Sequence, residues 1–310
     1  MWSTPCKDRH KGYLLSERGL AFMREYIIMT DSCCDFSAEL VEELGIQVLP
    51  LSFILQGREF LNYPDGRDMQ PDEFYSRLRR GALGSTNPVR EQAFLKEMTA
   101  IVESGRDVLC IAFSSALSAT YQAAAAAARK VVDGHPGSTV AVVDSRAASL
   151  GQGLLVYLAV QQKNKGCSLE EVRAFAETAR DHICHWFTVD DLNHLKRGGR
   201  LSAAAAFFGT MIKMKPVLHV DNEGRLVPVS TARGREASIQ ALLDKMAELV
   251  EDPSAVFISH ADCEAEAVAL GEAIKAKYPV ENMAINYVGP VIGNHSGLGT
   301  LALFFVGRHK

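Results

Sequence analysis

Two apolar patterns alternate along the first half of the chain. Short continuous runs such as "EYIIMT", "DVLCIAF" and "STVAVVDS" read as buried strands, and apolar residues at helical spacing follow each one. After the first strand, "SAELVEELG" predicts a short helix stopped by Gly45, and "IQVLPLSFIL" predicts one further buried strand. "PDEFYSRLRRG" opens with Pro71 at a helix start and closes with Gly81. "GSTNPVREQAFLKEMTAIVESG" starts with hydroxyls and Pro88, then turns helical. "SATYQAAAAAARKVV" and "AASLGQGLLVYLAVQQK" are two more helices. Strands alternating with helices predict a parallel sheet covered on both faces.

A polar stretch at 163–168, "KNKGCS", reads as a linker. Beyond it the order changes. "LEEVRAFAETARDHI" is helical, and "CHWFTV" is a strand leading into "DDLNHLKRGGRLS". "MKPVLHVDNEGRLVPVSTARG" predicts two strands joined by a turn at Asn222–Gly224. "SAVFISHA" and "NMAINYVGPVIG" read as strands, "REASIQALLDKMAELV" and "EAEAVALGEAIKAKY" as helices. The mixture predicts a second α/β domain with some antiparallel pairing. The expected organisation is a flexible N-terminal extension over 1–23, one α/β domain over 24–165 and a second over 166–310.

Composition narrows the function classes. The chain has 310 residues, 47% hydrophobic and 23% charged, with a net charge of −4. That charge gives no pull toward nucleic acid. No apolar run has the length of a membrane span, and the first residues lack a secretory apolar core. Seven cysteines without a CxxC pair fit a reducing cytoplasm. "HICH" carries ligand-type side chains, but in a strand His182 and Cys184 share one face while His185 points away. No metal site and no cofactor are therefore expected. A nucleotide is not expected either: there is no GxxxxGK run followed by Ser or Thr, and "SLGQGLLV" lacks the third glycine of a dinucleotide loop.

Small polar residues gather just past predicted strand ends: Thr30–Ser32, Gly84–Thr86, Ser114–Thr120 and Asp144-Ser145. In an open parallel sheet ligands bind at that edge, where helix N-termini and hydroxyls suit an anionic oxygen. The same residues also serve as helix caps. A serine nucleophile is a competing reading, with Ser114 or Ser115 served by His295 and by Asp31 or Asp144, although no GxSxG elbow is present. Lys196, Arg197 and Arg200 bracket Gly198-Gly199, and Arg233-Gly234-Arg235 forms a second basic cluster. Together they suit docking of an acidic or phosphate-bearing partner. "VGPVIGNHSGLG" surrounds His295 and Ser296 with glycines, which allow close backbone approach to a ligand.

These motifs, in this order, resemble the DegV family, which includes the fatty-acid-binding subunits of bacterial fatty acid kinases. The resemblance runs from about Tyr26 to Gly307 and rests on "TDSCCDFSAEL", "STNP", "SSALSATYQAA", "VVDSRAASLGQG", "FTVDDLNHLKRGGRLS", "RGREA" and "GPVIGNHSGLG". It implies a Rossmann-like three-layer first domain, a mixed-sheet second domain, and a tunnel between them holding one long-chain fatty acid. It also implies a cytoplasmic, non-enzymatic protein that presents the carboxylate to a separate kinase catalytic subunit. Carried over, Ser85, Thr86, Ser114, Ser115 and His295 bind the carboxylate, and Lys196, Arg197, Arg200 and Arg233 dock the kinase. The family's usual Thr-Ser-Gln-Pro is Ser85-Thr86-Asn87-Pro88 here, and Ala119 and Leu298 stand where Gly and Pro are common. Both positions of each hydroxyl pair keep a hydroxyl, so the choice within Ser85/Thr86 and within Ser114/Ser115 stays open. Phe113, Phe187, Phe207, Phe208, Met211 and Ile212 are candidates for the tunnel wall and equally for the core. A serine esterase and an acyl-chain-sensing regulatory module remain the alternatives.

Overall fold

The computed structural model describes residues 13–16, 19–22, 24–201 and 214–310, with side chains in the last two ranges. The first half runs β1 (Tyr13–Ser16), β2 (Gly19–Phe22), β3 (Tyr26–Asp31), α1 (Ala38–Leu44), β4 (Gln47–Leu49), β5 (Ser52–Leu55) and β6 (Arg58–Leu61). It continues α2 (Pro71–Arg79), β7 (Gly84–Asn87), α3 (Glu91–Glu103), β8 (Asp107–Ala112), α4 (Thr120–Gly134), β9 (Val140–Asp144) and α5 (Leu150–Asn164). Then come α6 (Leu169–Ala179), β10 (Ile183–Thr188), α7 (Asn193–Arg197), β11 (Met214–Val220), β12 (Leu226–Arg233) and α8 (Arg235–Leu249). The chain closes with β13 (Val250–His260), α9 (Glu264–Lys275), β14 (Asn282–Tyr287), α10 (Pro290–Ser296) and β15 (Leu301–Gly307).

Local chemistry sets many of these boundaries. Ser37 caps α1 by accepting from the Leu40 N–H, and Gly45 ends that helix at φ +61°. Ser168 and Glu171 form a capping box that starts α6. Among the described residues, β4-β3-β8-β9 form a parallel sheet, and β12-β11-β10-β15-β13-β14 form a mixed sheet in which only β13 and β14 run parallel. The two-domain α/β layout expected from the chain is present.

Three expectations need correction. "IQVLPLSFIL" is not one strand: it divides at Pro50, whose missing N–H cannot enter a ladder. β4 joins the parallel sheet, whereas β5 turns away to pair with β6 and β7 in a small antiparallel sheet. "GSTN" is itself a strand of that small sheet rather than a helix lead-in. "NMAINYVGPVIG" ends its strand at Tyr287, and Pro290 at the first turn begins α10.

α5 accounts for the coupling between the halves. Leu150, Leu154, Leu155, Val156 and Ala159 are buried, and the helix contacts β3 and β8 on one side and β10, β13 and β15 on the other. A helix apolar all round belongs in such a position between two layers. Of the stretch 163–168, the first two residues finish α5 and the rest make a tight turn, with Gly166 at φ +86°, that folds α6 back against β8 and β9. Along β10 the side chains alternate: Ile183 and Phe187 join the central core, while Cys184 and Trp186 join the core under α8 and α9. Cys33, Cys34, Cys110, Cys184 and Cys263 are free thiols. No helix among the described residues is long and apolar enough to cross a membrane.

Candidate functional site

A cavity of about 230 Å³ lies where the small sheet, α10 and the mixed sheet meet. Its apolar wall includes Leu51, Phe113, Leu117, Phe187, Val220 and Phe304. Its polar lining includes Thr86, Asn87, Ser118, Arg200, His295 and Ser296. Phe113 and Phe187 thus reach the wall. Phe207, Phe208, Met211 and Ile212 fall outside the described residues.

Thr86 and His295 meet directly, Oγ1 to Nε2 at 2.8 Å. β7 is paired to β5 in the order Phe53 opposite Thr86 and Ile54 opposite Ser85, so the two hydroxyls face opposite ways. Thr86 turns into the cavity and Ser85 is exposed. Burial, then the Arg200 guanidinium, push the His295 imidazole down to about 4, so it is neutral near pH 7. His295 Nδ1 and the Ser296 hydroxyl are buried with no hydrogen-bond partner among the described residues. Gly198 packs against that Nδ1, and a Cβ there would collide with the ring.

The serine pair of the strand-end motif sits elsewhere. Ser114 is buried and its hydroxyl donates to the Gly224 carbonyl at 2.9 Å, clasping the β11–β12 turn to the end of β8. The Ser115 hydroxyl donates to Asp144 Oδ2 at 2.5 Å, and its N–H to Oδ1 at 3.1 Å. Neither lines the cavity. Ser118 does, and its Oγ also accepts from the Thr120 N–H at 3.2 Å, although the N-cap position of α4 is Ala119. The reason is a tight turn in which the Leu117 and Ser118 N–H groups both return to the Ser114 carbonyl. That turn carries Ser118 and Ala119 to the cavity and leaves the earlier serines behind.

No Ser–His–Asp triad forms from the candidate residues. The hydroxyls of Ser114 and Ser115 are committed as above, and Asp31 accepts from the Cys33 and Phe113 N–H groups. Burial raises the Asp31 carboxyl to about 6. The "HICH" residues each contact a backbone carbonyl: His182 Nδ1 that of Gly307, Cys184 Sγ that of His309, His185 Nδ1 that of Ile183. Among the described residues, no three His, Cys, Asp or Glu side chains gather as a metal site.

The basic motif splits into two parts. Lys196, Arg197 and Arg233 are exposed. Arg200 instead lines the cavity, donating from Nε to the Leu117 carbonyl at 3.2 Å and from Nη1 to the Gly198 carbonyl at 2.5 Å. Sequence reasoning missed Asn87, Ser118, Arg200 and Ser296 as cavity residues. Two of them had a signal: Ser296 is adjacent to His295, and Ser118 lies in the hydroxyl cluster past β8.

The arrangement is an apolar chamber with a hydroxyl–imidazole pair and a guanidinium, which suits an elongated apolar molecule ending in an anionic oxygen. Comparison with known proteins agrees. The model of the DegV family of uncharacterised proteins matches residues 26–308. A DegV domain-containing protein of Clostridium perfringens is 40% identical over 93% of this chain and 99% of its own length. The structure of a fatty-acid-binding DegV family protein from Thermus thermophilus is 33% identical with a TM-score of 0.82, covering 92% of this chain and 100% of that one. DegV, a fatty acid binding protein from Bacillus subtilis, is 30% identical with a TM-score of 0.79 over 92% of this chain and 100% of that one. The chain belongs to the DegV family.

Proposed function

We propose that this protein binds one long-chain fatty acid in the cavity, with the carboxylate at the Thr86–His295 pair, and presents it to a separate kinase catalytic subunit that forms the acyl phosphate. The observation that carries the reading is an apolar chamber with Thr86 and His295 joined on its polar lining. The fatty-acid-binding relatives from Thermus thermophilus and Bacillus subtilis support the ligand class.

The energetics divide the work between tail and head. A buried methylene contributes about 0.8 kcal/mol, so ~14 of them give roughly 11 kcal/mol gross. Association and ordering remove about 4–15 kcal/mol of that. The tail therefore drives affinity. Thr86, Ser118, neutral His295 and Arg200 hold the carboxylate, which would otherwise be buried unpaired at a heavy cost. If His295 donates from Nε2 to Thr86 Oγ1, the threonine hydroxyl is left to donate to the carboxylate oxygen.

The position of two exposed cations supports the kinase-docking reading. α7 carries exposed Lys196 and Arg197, and the glycine just after it packs on the His295 ring. A partner engaging Lys196 and Arg197 would sit close to the carboxylate, and Arg233 is a further exposed cation proposed for docking. Reconstitution with a fatty acid kinase catalytic subunit, ATP and oleate tests this. Acyl phosphate should require this protein and fall in Arg197→Ala. Equal phosphorylation of free oleate without it would refute the presentation role. Thr86 beside His295 is also the geometry of a nucleophile next to a base. Ester hydrolysis by the wild type that Thr86→Val abolishes would favour a hydrolase instead.

A further inference from the structure

Away from its head group the cavity ends at a wall built from two rings. Along β15 and its lead-in, Thr300, Ala302 and Phe304 line it in steps of two, and Val306, the next residue on that face, does not. Along β10, Phe187 and His185 line it and Ile183 does not. Register puts these stops side by side, since His185 pairs with Phe304 and Ile183 with Val306. Ala148 and Ser149, just before α5, also line the cavity, and no residue of α5 itself does. Three elements thus leave the cavity at one place. From Thr300, whose hydroxyl donates to the Gly297 carbonyl just beyond His295, to Phe304 is four residues, roughly 13 Å of strand.

The two rings are fixed where they stand. The His185 imidazole meets the Phe304 ring edge-on, 5.3 Å between centroids and 88° between planes. Its Nδ1 lies 2.8 Å from the Ile183 carbonyl. Its other edge and the Phe304 ring both lie against Gly151 in the first turn of α5, and a Cβ at 151 would collide with both. Both side chains are buried. A close-packed interior of this kind gives a ring no second rotamer to swing into. Beyond the pair, Ile183 and Val306 line a separate groove with Tyr157, Leu158 and Phe175. On this face of the sheet the wall is therefore one residue pair thick.

We infer that His185 and Phe304 are the chain-length stop of the site. An acyl chain headed at Thr86 and His295 runs along β15 and β10 until its methyl end meets the two rings. Up to that contact each buried methylene adds about fourfold in affinity. Past it, each further methylene must fold the tail back or part packed rings. This inference rests on the fatty-acid reading of the cavity and names what limits the acids it takes.

The test is affinity for saturated acids from lauric to behenic, on wild type, His185→Ala and Phe304→Leu. Wild-type affinity should climb about fourfold per methylene and then break at one length. Each variant should move the break to longer acids. The first acid past the wild-type break should bind about tenfold tighter to His185→Ala than to wild type. A wild type with no break overturns the inference and leaves the fatty-acid reading standing. So does a break that stays in place in the variants, or a loss of affinity that is equal at every length. A wild type that binds none of these acids overturns both. Should His185→Ala fold poorly, Phe304→Leu decides, because it shortens the other ring and keeps an apolar side chain.

Discussion

Thr86 Oγ1 and His295 Nε2 lie 2.8 Å apart although 209 residues separate them. Two close backbone approaches set that distance. Gly84, two residues before Thr86, lies against the Asn294 side chain, and Gly293 lies against the Phe74 and Tyr75 rings. A side chain at Gly84 would push α10 off the small sheet, and one at Gly293 would push it off α2; either would part the pair.

Thr86→Val should weaken fatty-acid affinity about tenfold, the loss of one hydrogen bond to a charged group. The urea midpoint should stay near wild type. Ser114→Ala should behave in the opposite way. It leaves the Gly224 carbonyl without its donor, lowering stability by about 1 kcal/mol with little selective loss of binding. Displacement of a fluorescent fatty acid beside urea denaturation separates the two.

Gly198→Ala tests the imidazole's seat. Gly198 has φ −72°, which alanine adopts freely, so backbone strain is not the issue. The new methyl meets His295 Nδ1 and must turn the ring from Thr86. Affinity should drop at least as far as in Thr86→Val, with a small change in thermal midpoint. Gly224→Ala is the contrast: φ is +80° and the Cβ meets Ser114 Oγ and the Arg146 backbone, so stability should fall by more than about 1 kcal/mol.

Two buried groups give opposite pH dependences. His295 drops from an ordinary 6.5 to about 4, so the fold favours its neutral form. Its contribution is complete above pH 6.5 and is lost as pH falls toward 4. A carboxylate bound beside it favours the imidazolium, so ligand should raise its titration midpoint. NMR of the ring protons checks this, and a midpoint near 6.5 without ligand would contradict the burial account.

Asp35 runs the other way. Burial raises it from 3.8 to about 7, with the Ser149 hydroxyl bonded to Oδ2. The fold favours the protonated acid, so stability falls as pH rises from about 4 through 7. Asp35→Asn should lose that slope and be more stable than wild type at pH 8, as read from urea midpoints.

Much of this architecture was legible in the chain because periodicity, caps and turn glycines act locally. Ser37, Gly45 and Pro71 mark their helix ends where the pattern places them. What failed depended on distant partners. "IQVLPLSFIL" is mostly apolar on both sides of Pro50, yet its halves belong to different sheets. Ser114, Ser115 and Ser118 are chemically alike in sequence. Gly224 and Asp144, brought in by other elements, take the first two and leave Ser118 to the cavity. Arg200 looked like part of a surface basic run until the Leu117 and Gly198 carbonyls drew it inward.

Native mass spectrometry of the protein purified from cells tests the central claim most directly. The account predicts a bound mass of a single long-chain fatty acid, or saturable one-to-one uptake of added oleate or palmitate, that Thr86→Val and His295→Ala diminish. A protein that carries no acyl chain and takes up neither acid would contradict it.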